Sequence, residues 1–203
     1  IEQRRKQEVV TCYEVASGRE VWAFAYDASF EETLGGDGPR ATPTYHNGFI
    51  FALGAQGHLH RLKADSGEVV WKSDLLKGGS ITNLEWGLAG SPLIVDDMVI
   101  VTHSGKADPS IFAFDWKTGE PRWTAPGSQG YSSPALATIC GVRQVLNLGG
   151  TELRSLDPST GKVLWRHPWD TYMWINASQP MAIGGDRVFL SAVYGHGAAV
   201  VQI

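Results

Sequence analysis

Apolar residues in this chain come in short runs. Between 91 and 126 the sequence reads "SPLIV", a turn at Asp96-Asp97, "MVIVT", the turn "HSGKADPS", "IFAFD", the turn "WKTG", and "EPRWTA". The same alternation runs through 42–74, where Asn47-Gly48, "AQG" and "ADSG" are the turns, and through 133–167, where "CG", "GG" and "PSTG" are. The runs are rich in Val, Ile, Leu and Phe and span four to six residues. Runs of this length closed by Gly, Asn and Asp read as strands joined by hairpins, with Asn47-Gly48 the clearest hairpin signal. No window sustains the 3.6-residue period of an amphipathic helix. The pattern predicts an all-β chain in which four antiparallel strands make one unit.

Two landmarks recur through that pattern. The first is Ser or Thr, then Gly, three residues and Trp, in "VASGREVW" (15–22), "KADSGEVVW" (63–71), "DWKTGEPRW" (115–123) and "LDPSTGKVLW" (156–165). Its glycines are Gly18, Gly67, Gly119 and Gly161; its tryptophans are Trp22, Trp71, Trp123 and Trp165, spaced 49, 52 and 42 residues apart. A large apolar residue (Tyr13, Leu62, Phe114 or Leu156) lies nine positions before each Trp. The second landmark is a small-x-Pro signal at 41–43, 90–92, 132–134 and 178–180, which alternates with the first. A period of 40–50 residues with four strands describes a propeller blade. The Gly serves the turn into the fourth strand, where φ is positive. The Trp, carrying roughly 150–250 Å² of surface, is expected to join adjacent blades and to give its N–H to a neighbouring carbonyl.

The motif resembles the tryptophan-docking motif of the PQQ-like (pyrroloquinoline quinone repeat) β-propeller family, and the resemblance runs from about Val9 to Ile203. Glu14 and Lys63 depart from the Asp of the other two copies, and Pro121 interrupts the third. Such repeats occur in eight-bladed quinoprotein alcohol dehydrogenases and in a non-enzymatic propeller lipoprotein of outer-membrane assembly. The resemblance implies one propeller region over 1–203, with blades near 8–26, 41–76, 90–126, 132–169 and 178–203. The first is expected as a half blade of third and fourth strands, and the last as a partial blade. About four blades of a seven- or eight-bladed ring is the implied extent, with a closed four-bladed ring the less favoured alternative. The resemblance also implies a periplasmic or extracellular location.

Composition narrows the function. The net charge is −4, with 43% hydrophobic and 19% charged residues, ordinary for a globular chain with a core. No basic patch with interleaved aromatics points to nucleic acid, and the "RRK" at 4–6 reads as a solvated run. No apolar stretch approaches the roughly 18–20 residues of a membrane helix. Cys12 and Cys140 fall at different places in different repeats, so the sequence gives no disulfide framework. There is no adjacent cysteine pair of the kind found beside the quinone in the resembling dehydrogenases.

Candidate chemistry lies in the long loops that end at the small-x-Pro signals: 31–43, 77–92, 126–134 and 168–180. In a propeller these open on one end of the channel, and long loops on a rigid scaffold carry function. Arg40 offers a planar fork for a carboxylate or phosphate. Trp86, Tyr131 and Trp174 offer aromatic faces, and Asn176 and Gln179 add polar groups. Asn83 and Glu85, with Asp37 and Asn176, are hard oxygen donors suited to calcium. The competing reading is that these groups plug the channel and cap loop backbones. His58 and His60 alternate in "GHLHRL" without a third ligand and read as half-exposed strand histidines. Asn176-Ala177-Ser178 matches a glycosylation sequon by a common short pattern.

No catalytic set stands out: phosphate loop, serine elbow and HExxH motif are all missing. The leading reading is a ligand-binding or protein-interaction scaffold, with a protein or small molecule at the channel mouth. The alternative is a PQQ-dependent dehydrogenase. There Arg40 would hold the quinone, Asn83 and Glu85 the calcium, and Asp37 would act as base. A third reading is a structural module of a larger enzyme.

Overall fold

The computed structural model describes residues 1–77, 82–103, 109–128 and 130–203. Parts of the expected turn at 103–110 and of the loops at 77–92 and 126–134 lie outside the described residues. The chain packs as two units, Ile1–Pro92 and Leu93–Ile203. Apart from one short 3-10 turn, every regular element among the described residues is a strand.

The first unit holds two sheets. One is formed by β1 (Glu2–Arg4), β2 (Gln7–Tyr13) and β3 (Glu20–Asp27); the other by β4 (Thr44–His46), β5 (Phe49–Leu53), β6 (His58–Lys63) and β7 (Val69–Asp74). The first sheet therefore has one strand more than the sequence pattern predicts. β1 pairs Glu2 with Val9 and Arg4 with Gln7 through a turn in which Arg5 takes φ 57°. A three-residue polar strand carries no hydrophobic alternation, so pairing with β2 alone defines it.

The second unit holds three sheets. β8 (Leu93–Val95), β9 (Met98–Thr102), β10 (Ile111–Asp115) and β11 (Pro121–Ala125) form the first. β12 (Ala135–Ile139), β13 (Val142–Leu148), β14 (Glu152–Leu156) and β15 (Val163–Pro168) form the second. β16 (Met181–Ala182), β17 (Arg187–Ala192) and β18 (Gly197–Gln202) form the third. All pairings are antiparallel between consecutive strands, the up-and-down order of a propeller blade.

The Gly-bearing turn is the same object four times. The residue that opens it (Glu14, Lys63, Asp115 or Asp157) donates its N–H to the carbonyl five positions on, at 2.8–2.9 Å. Its own carbonyl accepts from the motif Gly at 2.8–2.9 Å. All four glycines take φ between 70° and 77°, open to Gly without strain. The register shifts by one residue at the same place in every copy, before Tyr13, Leu62, Phe114 and Leu156. Asp115 and Asp157 add a cap: Asp115 accepts from Lys117 and Thr118 N–H, and Asp157 from Ser159 and Thr160 N–H. Glu14 instead takes the hydroxyl of Ser17, and Lys63 pairs with Glu68 at 2.7 Å.

The core lies between sheets. In the first unit Val10, Ala52 and Leu62 meet Trp22, Phe24 and Val69. In the second, one cluster joins Ile100, Ile111 and Trp123 to Val145 and Leu156, and another joins Leu146 and Leu153 to Val188 and Leu190. Trp22, Trp123 and Trp165 lie at these seams. Trp22 Nε1 donates to Ala64 O of the next sheet at 3.0 Å, and Trp123 Nε1 to Pro158 O of the next at 3.1 Å. Trp165 instead donates to Gln144 Oε1 within its own sheet at 2.7 Å. Trp71 lies with its ring 6.1 Å from Phe51 of its own sheet.

Candidate functional site

The small-x-Pro segments bond to one another within each unit. In the first unit Thr42 N–H donates to Ser91 Oγ at 3.0 Å, and Thr44 Oγ1 to Pro92 O at 2.5 Å. In the second, Gln179 Nε2 donates to Pro134 O at 2.9 Å. β12 packs beside both β8 and β16. These links fix the places from which the long loops depart.

In the first unit two loops close over one carboxylate, Glu32, which the sequence pattern does not single out. It accepts from Leu34 N–H at 2.8 Å, from Gly35 N–H, and from the Trp86 indole, and Arg40 lies at 3.8 Å. The two backbone N–H groups, with Arg40 and Trp86 behind them, hold this carboxyl below the usual carboxylate range. Arg40 turns its fork inward: Nη1 donates to Gly38 O and Nη2 to Gly36 O, both at 2.7 Å, and its carbon lies 5.1 Å from the Phe30 ring centre. Asp37 is exposed and accepts from Glu32 N–H at 3.2 Å. Asn83 bridges from its loop to the turn between β5 and β6, donating to Ala55 O at 3.1 Å and accepting from Leu84 N–H at 2.8 Å, while Glu85 is exposed. Arg40 and Trp86 thus meet at Glu32, and Asn83 braces its loop at Ala55.

The second unit makes a different surface. In the loop after β15, Trp169, Thr171 and Asn176 are buried. Thr171 gives both its N–H and its hydroxyl to Gly150 O at 3.1 Å, and Asn176 Nδ2 donates to Gly149 O at 2.6 Å. Asn176 also accepts, through its backbone carbonyl, the N–H of buried Tyr131 at 2.7 Å. Between these anchors a 3-10 turn, Tyr172–Trp174, pushes three large side chains outward. Tyr172 is 64% exposed, Met173 48% and Trp174 45%. Met173 and Trp174 both take left-handed backbone, φ 52° and 58°. Tyr194, 65% exposed, lies 5.9 Å from Tyr172 between ring centres.

Two features that the sequence marks are placed by the fold, and the second differs from expectation. The sequon at Asn176 is closed to modification in the fold, because its amide is fully buried and donates to Gly149. His58 and His60 are not alike: His60 is 2% exposed and faces the first sheet, with its ring 4.3 Å from Tyr26. Its burial follows from which blade faces β6, a fact that a period-2 pattern does not contain.

The Arg40 donors that would meet a quinone oxygen are engaged by carbonyls of their own loop. The Asn83 amide is used at both ends. Among the described residues, no three His, Cys, Asp or Glu side chains gather as a metal site.

The profile of a family described as "Outer membrane protein assembly factor BamB" matches residues 6–203. The chain is 26% identical over 162 residues to the outer membrane protein assembly factor BamB of Bordetella pertussis, covering 75% of this chain and 35% of that protein. It is 36% identical over 87 residues to the lanthanide-dependent methanol dehydrogenase of Methylacidiphilum fumariolicum, covering 40% of this chain and 13% of the enzyme. BamB from Moraxella catarrhalis matches in structure with a TM-score of 0.64 at 18% identity, covering 96% of this chain and 52% of that one. That likeness shows the β-propeller fold. The chain spans about half or less of the length of these relatives.

Proposed function

Because the chain belongs to the family described as outer membrane protein assembly factor BamB, we propose that it is a non-catalytic propeller scaffold of the bacterial periplasm that docks a protein partner. The observation that carries this reading is the exposed aromatic turn Tyr172–Trp174 held on buried polar anchors. Trp and Tyr are the residues that dominate protein interfaces, because each buries much surface at small entropic cost. Left-handed backbone at two consecutive non-glycine residues costs free energy, and such strain gathers at functional places. The anchors at Thr171 and Asn176 keep the turn from relaxing.

The test is a photo-crosslinking amino acid in place of Trp174, with the same group in place of Val15 as control. Val15 is fully exposed and belongs to a simple turn. Incubation with solubilised outer membranes of the source bacterium is expected to give one dominant adduct from position 174 and none from position 15. No adduct from 174, or equal labelling from both, overturns the reading. Saturable binding of PQQ with calcium, seen as quinone absorbance, would also overturn it in favour of the dehydrogenase reading.

A further inference from the structure

The two sheets of the first unit leave an open groove of about 680 Å³, well within the range of small-molecule sites. β3 forms one wall and β6 with β7 the other. His60 stands opposite Lys72 in the ladder and His58 opposite Asp74, so all four side chains share one face. Tyr26 closes the far wall, with its ring 4.3 Å from His60 and 5.6 Å from His58. Its hydroxyl is committed elsewhere, donating to buried Glu8 at 2.5 Å.

Two features of this groove are unexplained by folding. The first is His60: burial, together with nearby His58 and Lys72, lowers its pKa to about 4, so the ring is neutral at pH 7. It is 2% exposed, lines the groove, and its Nδ1 has no hydrogen-bond partner among the described residues. A buried polar atom left unpaired is destabilising. The second is charge. Lys72, Asp74, Asp27 and Lys77 supply two cations and two anions to one groove. None of the four forms an ion pair among the described residues. Asp27 accepts from Gln7 and Asp74 from Leu76 N–H, each through a single oxygen.

A shared metal ion does not account for the pair of histidines. Their ring centres are 6.4 Å apart, whereas two imidazoles on one tetrahedral zinc stand about 5 Å apart. A single-sign ligand does not account for the balanced charges. A ligand that carries both charges does.

We propose that this groove binds a small zwitterion of the amino-acid class. The carboxylate lies on the Lys72 ammonium and accepts from His60 in the tautomer protonated at Nδ1. The ammonium lies on Asp74 at the open end, with Asp27 and Lys77 at the rim. Lys72 and Asp74 are two residues apart on one strand, about 7 Å, a span their side chains close around an amino acid. A flat side group then packs against Tyr26 and His58. The site stands independently of partner docking, because it lies wholly in the first unit and the aromatic turn lies in the second.

The experiment is titration of the whole chain with L-phenylalanine, read by calorimetry and by the ring proton signals of His58 and His60. Phenylpropionate and phenethylamine each carry one of the two charges and serve as comparisons. Saturable binding of L-phenylalanine with shifts at both histidines is expected, with each single-charge analogue weaker by about tenfold or more. Lys72→Met and Asp74→Asn, both at exposed positions, are each expected to weaken binding by about tenfold without changing the thermal midpoint. No saturable response up to about 10 mM, or equal binding of all three compounds, overturns the proposal.

Discussion

Trp22 lies flat against Gly67 of the following blade, so close that a methyl group on Gly67 would stand 2.6 Å from Trp22 Cε3. Gly67 therefore has two duties. It turns the chain at positive φ, and it leaves the surface bare where the preceding tryptophan packs. Gly161 stands in the same relation to Trp123.

That relation predicts an unequal cost for equal substitutions. Gly48 takes φ 80°, and a methyl group added there would meet nothing within 4 Å, so Gly48→Ala should cost only backbone strain, about 1 kcal/mol. Gly67→Ala adds overpacking against the indole and should cost about 2–4 kcal/mol in total. Denaturant midpoints followed by tryptophan fluorescence decide the matter; equal losses would mean that the tryptophan contact contributes nothing.

His60 makes stability depend on pH. Its pKa falls from an ordinary 6.5 to about 4 in the fold, mainly through burial. The unfolded chain thus takes up a proton between those values while the folded chain does not. The contribution is complete above pH 6.5 and shrinks by up to about 1.4 kcal/mol per unit as pH falls toward 4. His60→Gln should flatten the unfolding free energy over that interval. An unchanged slope would show that another group is responsible.

Glu32 gives a second, more acidic window. Its carboxyl is held below the ordinary value of 4.5, first by Leu34 and Gly35 N–H. The ordering it provides is present above pH 4.5 and is lost as pH falls through the folded value. Protection factors at Leu34 and Gly35, taken relative to the intrinsic exchange rate at each pH, should fall in acid, and in Glu32→Gln they should be low already at neutral pH. Protection retained in that variant would mean that the turn holds without the charge.

Asn176 should tolerate neither charge nor sugar. Asn176→Asp sets a buried carboxylate against Gly149 O and should destabilise by about 2–4 kcal/mol. Expression in a glycosylating host should leave Asn176 unmodified by intact mass. A glycan there would show that the site is modified before it folds.

Much of the fold is legible in the sequence because the repeat states itself four times. Each Trp and each Gly recurs at a fixed place, and the positive-φ turn explains each Gly; the partner of each indole is less legible, since Trp22 and Trp123 donate to the next sheet and Trp165 to Gln144 of its own. β1 is not legible, since Glu2–Arg4 has no apolar rhythm and only β2 gives it a partner. The loops are legible as places rather than as contacts. Arg40 is expected from the sequence to face a ligand, yet its partners are carbonyls of Gly36 and Gly38, brought within reach by turns at φ 82° and 93°. Glu32 gives no signal for a similar reason: its partners are mostly backbone N–H groups, whose positions no residue letter encodes. Trp174 stands out for its aromatic face, but the buried anchors that display it appear only once Gly149 and Gly150 are placed.

The seam between Trp22 and Ala64-Gly67 is formed by two unlike halves, and both halves belong to the same stretch of repeat. Trp22 is the plug and Ala64-Gly67 the socket, and Trp123 with Gly161 repeats the pair. A gene segment copied once therefore carries its own joint, and a lengthened array needs no new surface to be invented. The same polarity means that damage travels one way: a lesion in one turn is felt by the blade that precedes it.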